Sequence, residues 1–262
     1  MFKRIPAAVA ALAAAVLAGA AGCGDTGGDD ESRPSGPSGG GTLTVFAAAS
    51  LTETFTALGK SFEGSHPGVK VKFNFGGSSG LAQQITQGAP ADVFAAASPA
   101  TMKTVTDAGD AAAPQVFTRN RLVIAVPGDN PGKVAKVSDL ARPGLKVVLC
   151  AEQVPCGAAA KKALGAAGVT VRPASQEQDV KAVLTKVRLG EADAGLVYRT
   201  DARAATGQVK GVEFAESAKA INDYPIATVA KAPHAALAKE FVQLVLGPVG
   251  RAELTRAGFE SP

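Results

Sequence analysis

Chemistry has few places to reside in this chain of 262 residues, and the first are serines set just after strand-like runs. In "AAASLTE", Ser50 closes a strand and Glu53 follows three residues later, the capping-box spacing that opens a helix. In "FGGSSGLAQQI", Ser78 and Ser79 stand between an alternating run and a helix-like one. Read for structure alone, each serine is an N-cap. Read for chemistry, the first turn of a helix carries N–H groups without partners and a partial positive charge. Two such ends meeting at the carboxyl edge of a parallel sheet hold an anion without any cationic side chain. The small residues around Ser50 and Ser78 leave the backbone bare enough for an oxyanion to approach.

The second half of the chain offers a matching set. In "VLCAEQVPCGAAAKKAL", Pro155 and Cys156 lead into a helix, so the N–H groups of Cys156 and Gly157 become free donors. In "ASQEQDVKAVL", Ser175 and Gln178 have capping-box spacing and put Val180 in or near a first helical turn. "AGLVYRTDA" ends a buried strand at Tyr198, a hydroxyl donor on a rigid ring, which reads equally well as a core or rim tyrosine. Metal capture finds less support. His66 and His234 are the two histidines, each beside a proline and without ligand-spaced partners, and they read as surface residues. A hydrolase using Ser50 or Ser78 lacks a credible base, since His66 and His234 have no recognisable partner pattern.

These residues need elements to place them, and strand-like and helix-like segments alternate throughout. "LTVFAAAS", "VKVKFNF", "ADVFAAAS", "RLVIAVPG", "LKVVLC", "VTVRPA", "AGLVY" and "YPIATVAK" read as strands. Between them, Leu51, Phe55, Leu58 and Phe62 share one helical face, and further helical runs follow, two of them closing the chain. This alternation predicts an α/β fold of parallel sheets covered by helices. For roughly 220 residues after Leu43, two smaller lobes are more ordinary than one large sheet. The expected crossings are near "TRNRLV" and "NDYPIA", which gives residues 42–121 with 224–262 as one lobe and 122–223 as the other.

The beginning of the chain is of another kind. Lys3 and Arg4, an Ala/Val/Leu run and small residues before Cys23 form an export signal over residues 1–22. "AAGC" resembles a bacterial lipobox with Ala20 where Leu is usual, so Cys23 is the expected lipidation site and residues 23–41 a flexible tether. The segment before position 43 holds three basic and four acidic residues, leaving 24 basic and 19 acidic, a net charge near +5. That excess is spread out and lacks basic runs with interleaved aromatics, which argues against nucleic acid as a partner and permits attraction for small anions.

"VFAAASLTETF", "GSSGLAQQITQGAPADVFAAAS", "VPCGAAAKKAL", "QDVKAVLTKVRLGEADAGLVYRTDA" and "YPIATV" together resemble the molybdate-binding proteins of bacterial ABC importers, in order and spacing, over nearly everything after Leu43. The resemblance implies a two-lobed fold of the type II periplasmic-binding-protein kind, each lobe a mostly parallel sheet flanked by helices, closing on molybdate or tungstate. Carried onto this chain, it implies hydroxyl donors at Ser50, Ser78 and Tyr198, with Ser79 as the alternative second serine, and backbone donors at Cys156 and Val180. It implies no catalysis, no cofactor and no directly bound metal. It also implies a monomeric carrier held by its lipid to the extracytoplasmic face of the cell membrane, serving an ABC permease and its ATPase. Another oxyanion such as sulfate is the alternative ligand. Cys156 departs from the small residue expected there. An exported chain with Cys150 six residues away is expected to bond the two as a disulfide. A donor-only site is expected to reject protonated phosphate, and cavity size must reject sulfate.

Overall fold

The structure, a computed structural model, describes residues 40–262. The expected signal segment 1–22, lipidation site Cys23 and nearly all of the tether lie outside the described residues. In chain order the elements are β1 (Thr42–Ala48), α1 (Thr52–Ser65), β2 (Lys70–Gly76), α2 (Ser78–Thr86), β3 (Val93–Ala95), α3 (Pro99–Asp107), β4 (Gln115–Asn120) and β5 (Leu122–Pro127). There follow β6 (Val147–Cys150), α4 (Pro155–Ala167), β7 (Ser175–Glu177), α5 (Val180–Arg188), β8 (Ala194–Tyr198), α6 (Arg199–Ala204), β9 (Val209–Val212), β10 (Asn222–Thr228), α7 (Ala235–Leu246) and α8 (Pro248–Ala257). No helix among the described residues is long and apolar enough to cross a membrane.

Two five-stranded sheets organise the molecule, ordered β2-β1-β3-β10-β4 and β7-β6-β8-β5-β9. In each, four strands run one way and one is reversed: β10 lies antiparallel to β3 and β4, and β5 to β8 and β9. The chain passes from the first sheet to the second between Asn120 and Leu122, and returns between Val212 and Asn222. Next to the first crossing, Arg121 grips the Glu260 carboxylate, which Arg199 also reaches at 3.1 Å. A C-terminal residue is thus tied to both sides.

The first core forms because α1 repeats apolar side chains at helical spacing. Phe55, Leu58 and Phe62 are fully buried, with Phe55 and Phe62 edge-on to Phe241 of α7 at 6.0 and 5.5 Å between ring centres. Such aromatic pairs add to the burial of their apolar area. The second core packs Val183 and Val187 of α5 onto a sheet whose strand β5 is buried at every position.

Three features differ from expectation. The strand expected in "VTVRPA" falls later, at β7, for two local reasons. The Val169 N–H closes the end of α4 on Leu164 O after Gly168 turns left-handed, and Pro173 has no N–H to give a ladder. Strands β4 and β9 were not anticipated. The histidines are half-buried ties instead of open surface: His66 stacks on Phe62 and bonds Glu240, while the His234 N–H bonds Asp92.

Candidate functional site

Strand register brings the important turns together. Ala48 lies beside Gly76 and Ala47 beside Ala95, so the chain leaves β1, β2 and β3 along one edge of the first sheet. In the second sheet Cys150 lies beside Glu177, and the chain leaves β6 and β7 the same way. These carboxyl edges enclose a cavity of about 20 Å³. That is more than one water needs and far below the ~300 Å³ at which drug-sized sites begin.

All five residues expected to donate line this one cavity: Ser50, Ser78, Cys156, Val180 and Tyr198. Each is buried. The helical residues among them fall in first turns, where N–H groups have no acceptor within their own helix. Ser78 is the first residue of α2, Cys156 the second of α4 and Val180 the first of α5, while Ser50 sits in the short turn Ala49–Leu51 before α1. No side chain caps α1, α2 or α4. Ser50 and Ser78 are therefore not the caps their spacing suggested. Nor is Ser175, which lies within β7; Asp179 caps α5 by accepting the Ala182 N–H at 3.0 Å.

The hydroxyls differ in what holds them. Ser78 Oγ accepts the Ala97 N–H at 3.0 Å. Ser50 Oγ lies 2.9 Å from Tyr224 Oη. Tyr198 Oη is buried without a hydrogen-bond partner, an arrangement native proteins rarely leave unexplained. Burial pushes the Tyr198 phenol well above its ordinary range, with the Tyr224 hydroxyl and Asp201 adding to the effect, so it keeps its proton as a donor. Sequence reasoning missed Tyr224. The available signal was Pro225, because proline inside a sheet marks a bulge, and the register of β10 shifts between Tyr224 and Pro225.

The two lobes meet around the cavity. Ser79 does not line it; its Oγ donates to Gln153 O across the cleft at 2.8 Å. Gly77 lies so near the Gln178 carbonyl that an added Cβ would stand 2.1 Å from its oxygen. Lys181 Nζ reaches Glu53 at 2.7 and 2.9 Å and Asp201 at 3.1 Å. Burial pulls the Lys181 ammonium down, but the carboxylates of Asp201 and Glu53 outweigh it and hold its pKa above the ordinary value. None of the lining residues is Lys, Arg or His, and Asp179 is the single carboxylate among them.

Asp201 is fully buried and accepts the Tyr198 N–H at 3.2 Å. Burial raises its pKa to about 6 against the pull of Lys181. A folded pKa above the unfolded one means that the group's stabilisation is complete below about pH 4 and lost as pH rises through about 6. Asp201→Asn removes the titrating proton. The melting-temperature difference between the two proteins should change between about pH 4 and pH 6 and stay flat above about pH 7. A difference constant over the whole range would contradict this.

Cys150 and Cys156 form a disulfide, as expected, with their Cα atoms 5.7 Å apart. It ties the end of β6 to the first turn of α4, where Gly157 packs so close to Ala151 O that a Cβ would stand 1.9 Å away. Loop-closure entropy for so short a ring gives about 2 kcal/mol. The double variant Cys150→Ser, Cys156→Ser should therefore unfold about 2 kcal/mol more easily in urea; unchanged stability would show that packing alone holds the loop.

Comparison with known proteins places residues 43–260 in a family model described as bacterial extracellular solute-binding protein. A protein of Mycobacterium tuberculosis named molybdate-binding protein ModA is 46% identical over 233 residues, covering 88% of this chain and 89% of its own. The putative ABC transporter substrate-binding lipoprotein YvgL of Bacillus subtilis is 31% identical, covering 99% of each chain. Among solved structures, the periplasmic molybdate-binding protein of Azotobacter vinelandii shares the fold with a TM-score of 0.72 at 23% identity, covering 84% of this chain and 99% of its own.

Proposed function

We infer that this chain, which belongs to the bacterial extracellular solute-binding proteins, captures molybdate outside the cytoplasm and delivers it to an ABC importer. Support comes from the relatives named for molybdate and from a cavity sized for a very small ligand. The observation that carries the reading is the buried Tyr198 hydroxyl, which lines that cavity and lacks a protein acceptor. A dianion supplies the acceptor. In this reading Ser50, Ser78 and Tyr198 donate hydroxyl protons, and Cys156 and Val180 donate backbone N–H groups.

Neutral donors suffice for such a ligand. Each hydrogen bond to a charged group contributes about 1.5–3 kcal/mol, so five or more reach submicromolar affinity even after desolvation costs. Tungstate has the same charge and nearly the same size, and it binds in the same way. Catalysis is not part of this reading: the cavity holds serines but no histidine or lysine to activate them. Residues 42–121 with 224–262 act as one lobe and 122–223 as the other, and they close on the anion. The carrier is a monomer, exported by residues 1–22 and anchored through lipid on Cys23, with a permease and its ATPase as partners.

Calorimetric titration with molybdate, tungstate, sulfate and phosphate tests the reading. Saturable heat is expected for the first two. Equal heat from sulfate would reassign the ligand, and silence from all four would reject oxyanion capture.

A further inference from the structure

We propose, resting on the reading above, that Tyr224 is a positioning residue that sets the specificity of the site: its hydroxyl donates to Ser50 and so turns the Ser50 proton toward the bound oxyanion. The argument begins with where the Tyr224 proton goes. Tyr224 is fully buried, and burial pushes its phenol far above the ordinary range, so the proton stays. Among the described residues its single acceptor at hydrogen-bonding distance is Ser50 Oγ, 2.9 Å away. Asn120 Nδ2, nearby, is itself a donor and serves Thr200 Oγ1 at 2.9 Å. The Tyr198 hydroxyl has no hydrogen-bond partner, and its ring lies edge-on to that of Tyr224. With the Tyr224 proton placed on Ser50 Oγ, the proton of Ser50 turns toward the cavity that Ser50 lines.

Ser78 is set in the same sense. Its Oγ accepts the Ala97 N–H at 3.0 Å, and Ala97 is held by Asn222 Nδ2 donating to its carbonyl at 2.7 Å. Asn222 and Tyr224 are alternate residues of β10. One strand thus fixes the polarity of both serines, one directly and the other through Ala97.

The consequence is discrimination by protonation. A fully ionised tetrahedral anion accepts from every hydroxyl, whereas an anion that keeps a proton must donate it and finds the Ser50 and Ser78 hydroxyls already engaged as acceptors. Asp179 is the single carboxylate lining the cavity, with Oδ1 engaged by the Ala182 N–H. It supplies the control.

Sulfate and hydrogen phosphate are close in size and differ at neutral pH in carrying a proton, so the ratio of the concentrations that displace half the bound molybdate isolates this effect. In Tyr224→Phe, the freed acceptor side of Ser50 is expected to shift that ratio toward phosphate by about 10-fold and to weaken molybdate by about 5- to 10-fold. Asp179→Asn, which keeps a capping side chain, should leave the ratio where it is. Melting temperatures of both variants confirm that the fold is retained. A ratio unmoved in Tyr224→Phe, with molybdate affinity reduced, would leave Tyr224 a merely structural role and overturn the proposal. A ratio moved as far by Asp179→Asn would assign the discrimination to the carboxylate instead. No molybdate heat from the unaltered protein would sink the underlying reading, and this inference with it.

Discussion

Tyr198→Phe is expected to weaken molybdate binding by about 10- to 100-fold while leaving the unliganded protein as stable as before, or more so. The two halves of this result have one cause. Without ligand the Tyr198 hydroxyl is buried and unpartnered, a condition that costs about 1–3 kcal/mol. Replacing it by hydrogen in a ring of the same shape removes that cost. With ligand bound, the same oxygen donates to a charged acceptor, and its loss forfeits about 1.5–3 kcal/mol. Affinity therefore falls where stability does not. Calorimetric titration and thermal melts without ligand read the two terms separately. A variant that melts lower but binds unchanged would make Tyr198 a core residue and nothing more.

Gly77→Ala should reduce affinity by about 100-fold or more, by a different route. The backbone at Gly77, with φ −62° and ψ 124°, accommodates alanine without strain, so each lobe still folds. The obstacle appears only when the lobes meet, because the new methyl would stand 2.1 Å from Gln178 O. Apparent affinity scales with the fraction of molecules able to adopt the binding-competent arrangement. Small-angle scattering should show that the variant fails to compact at molybdate concentrations that compact the unaltered protein. Full compaction with normal affinity would mean that the approach of Gly77 to Gln178 relaxes easily.

Much of the candidate site could be read before any coordinates, because its parts are local. A short apolar run, a small-residue turn and an amphipathic helix recur at Ser50 and Ser78, and such a pattern predicts a helix start at the carboxyl end of a strand. The βα alternation likewise pointed to two helix-covered sheets. What escaped notice depends on distant partners. Ser50 and Tyr224 are 174 residues apart, and neither neighbourhood records the other. The contact of Gly77 with Gln178 joins the lobes through backbone, so side-chain chemistry left no trace of it. Asp179 was passed over as cap because Ser175 offered an equally good local spacing, and only the pairing of β7 with β6 decides between them. Strand β9 is four residues long and half exposed, too short for alternation to stand out.

The absence of a cationic side chain from the cavity lining has an electrical consequence. A captured dianion adds its two negative charges to the protein, so the loaded carrier has a net charge two units below the empty one, and no lysine or arginine faces the ligand to pair with them. The two forms should separate on a cation exchanger.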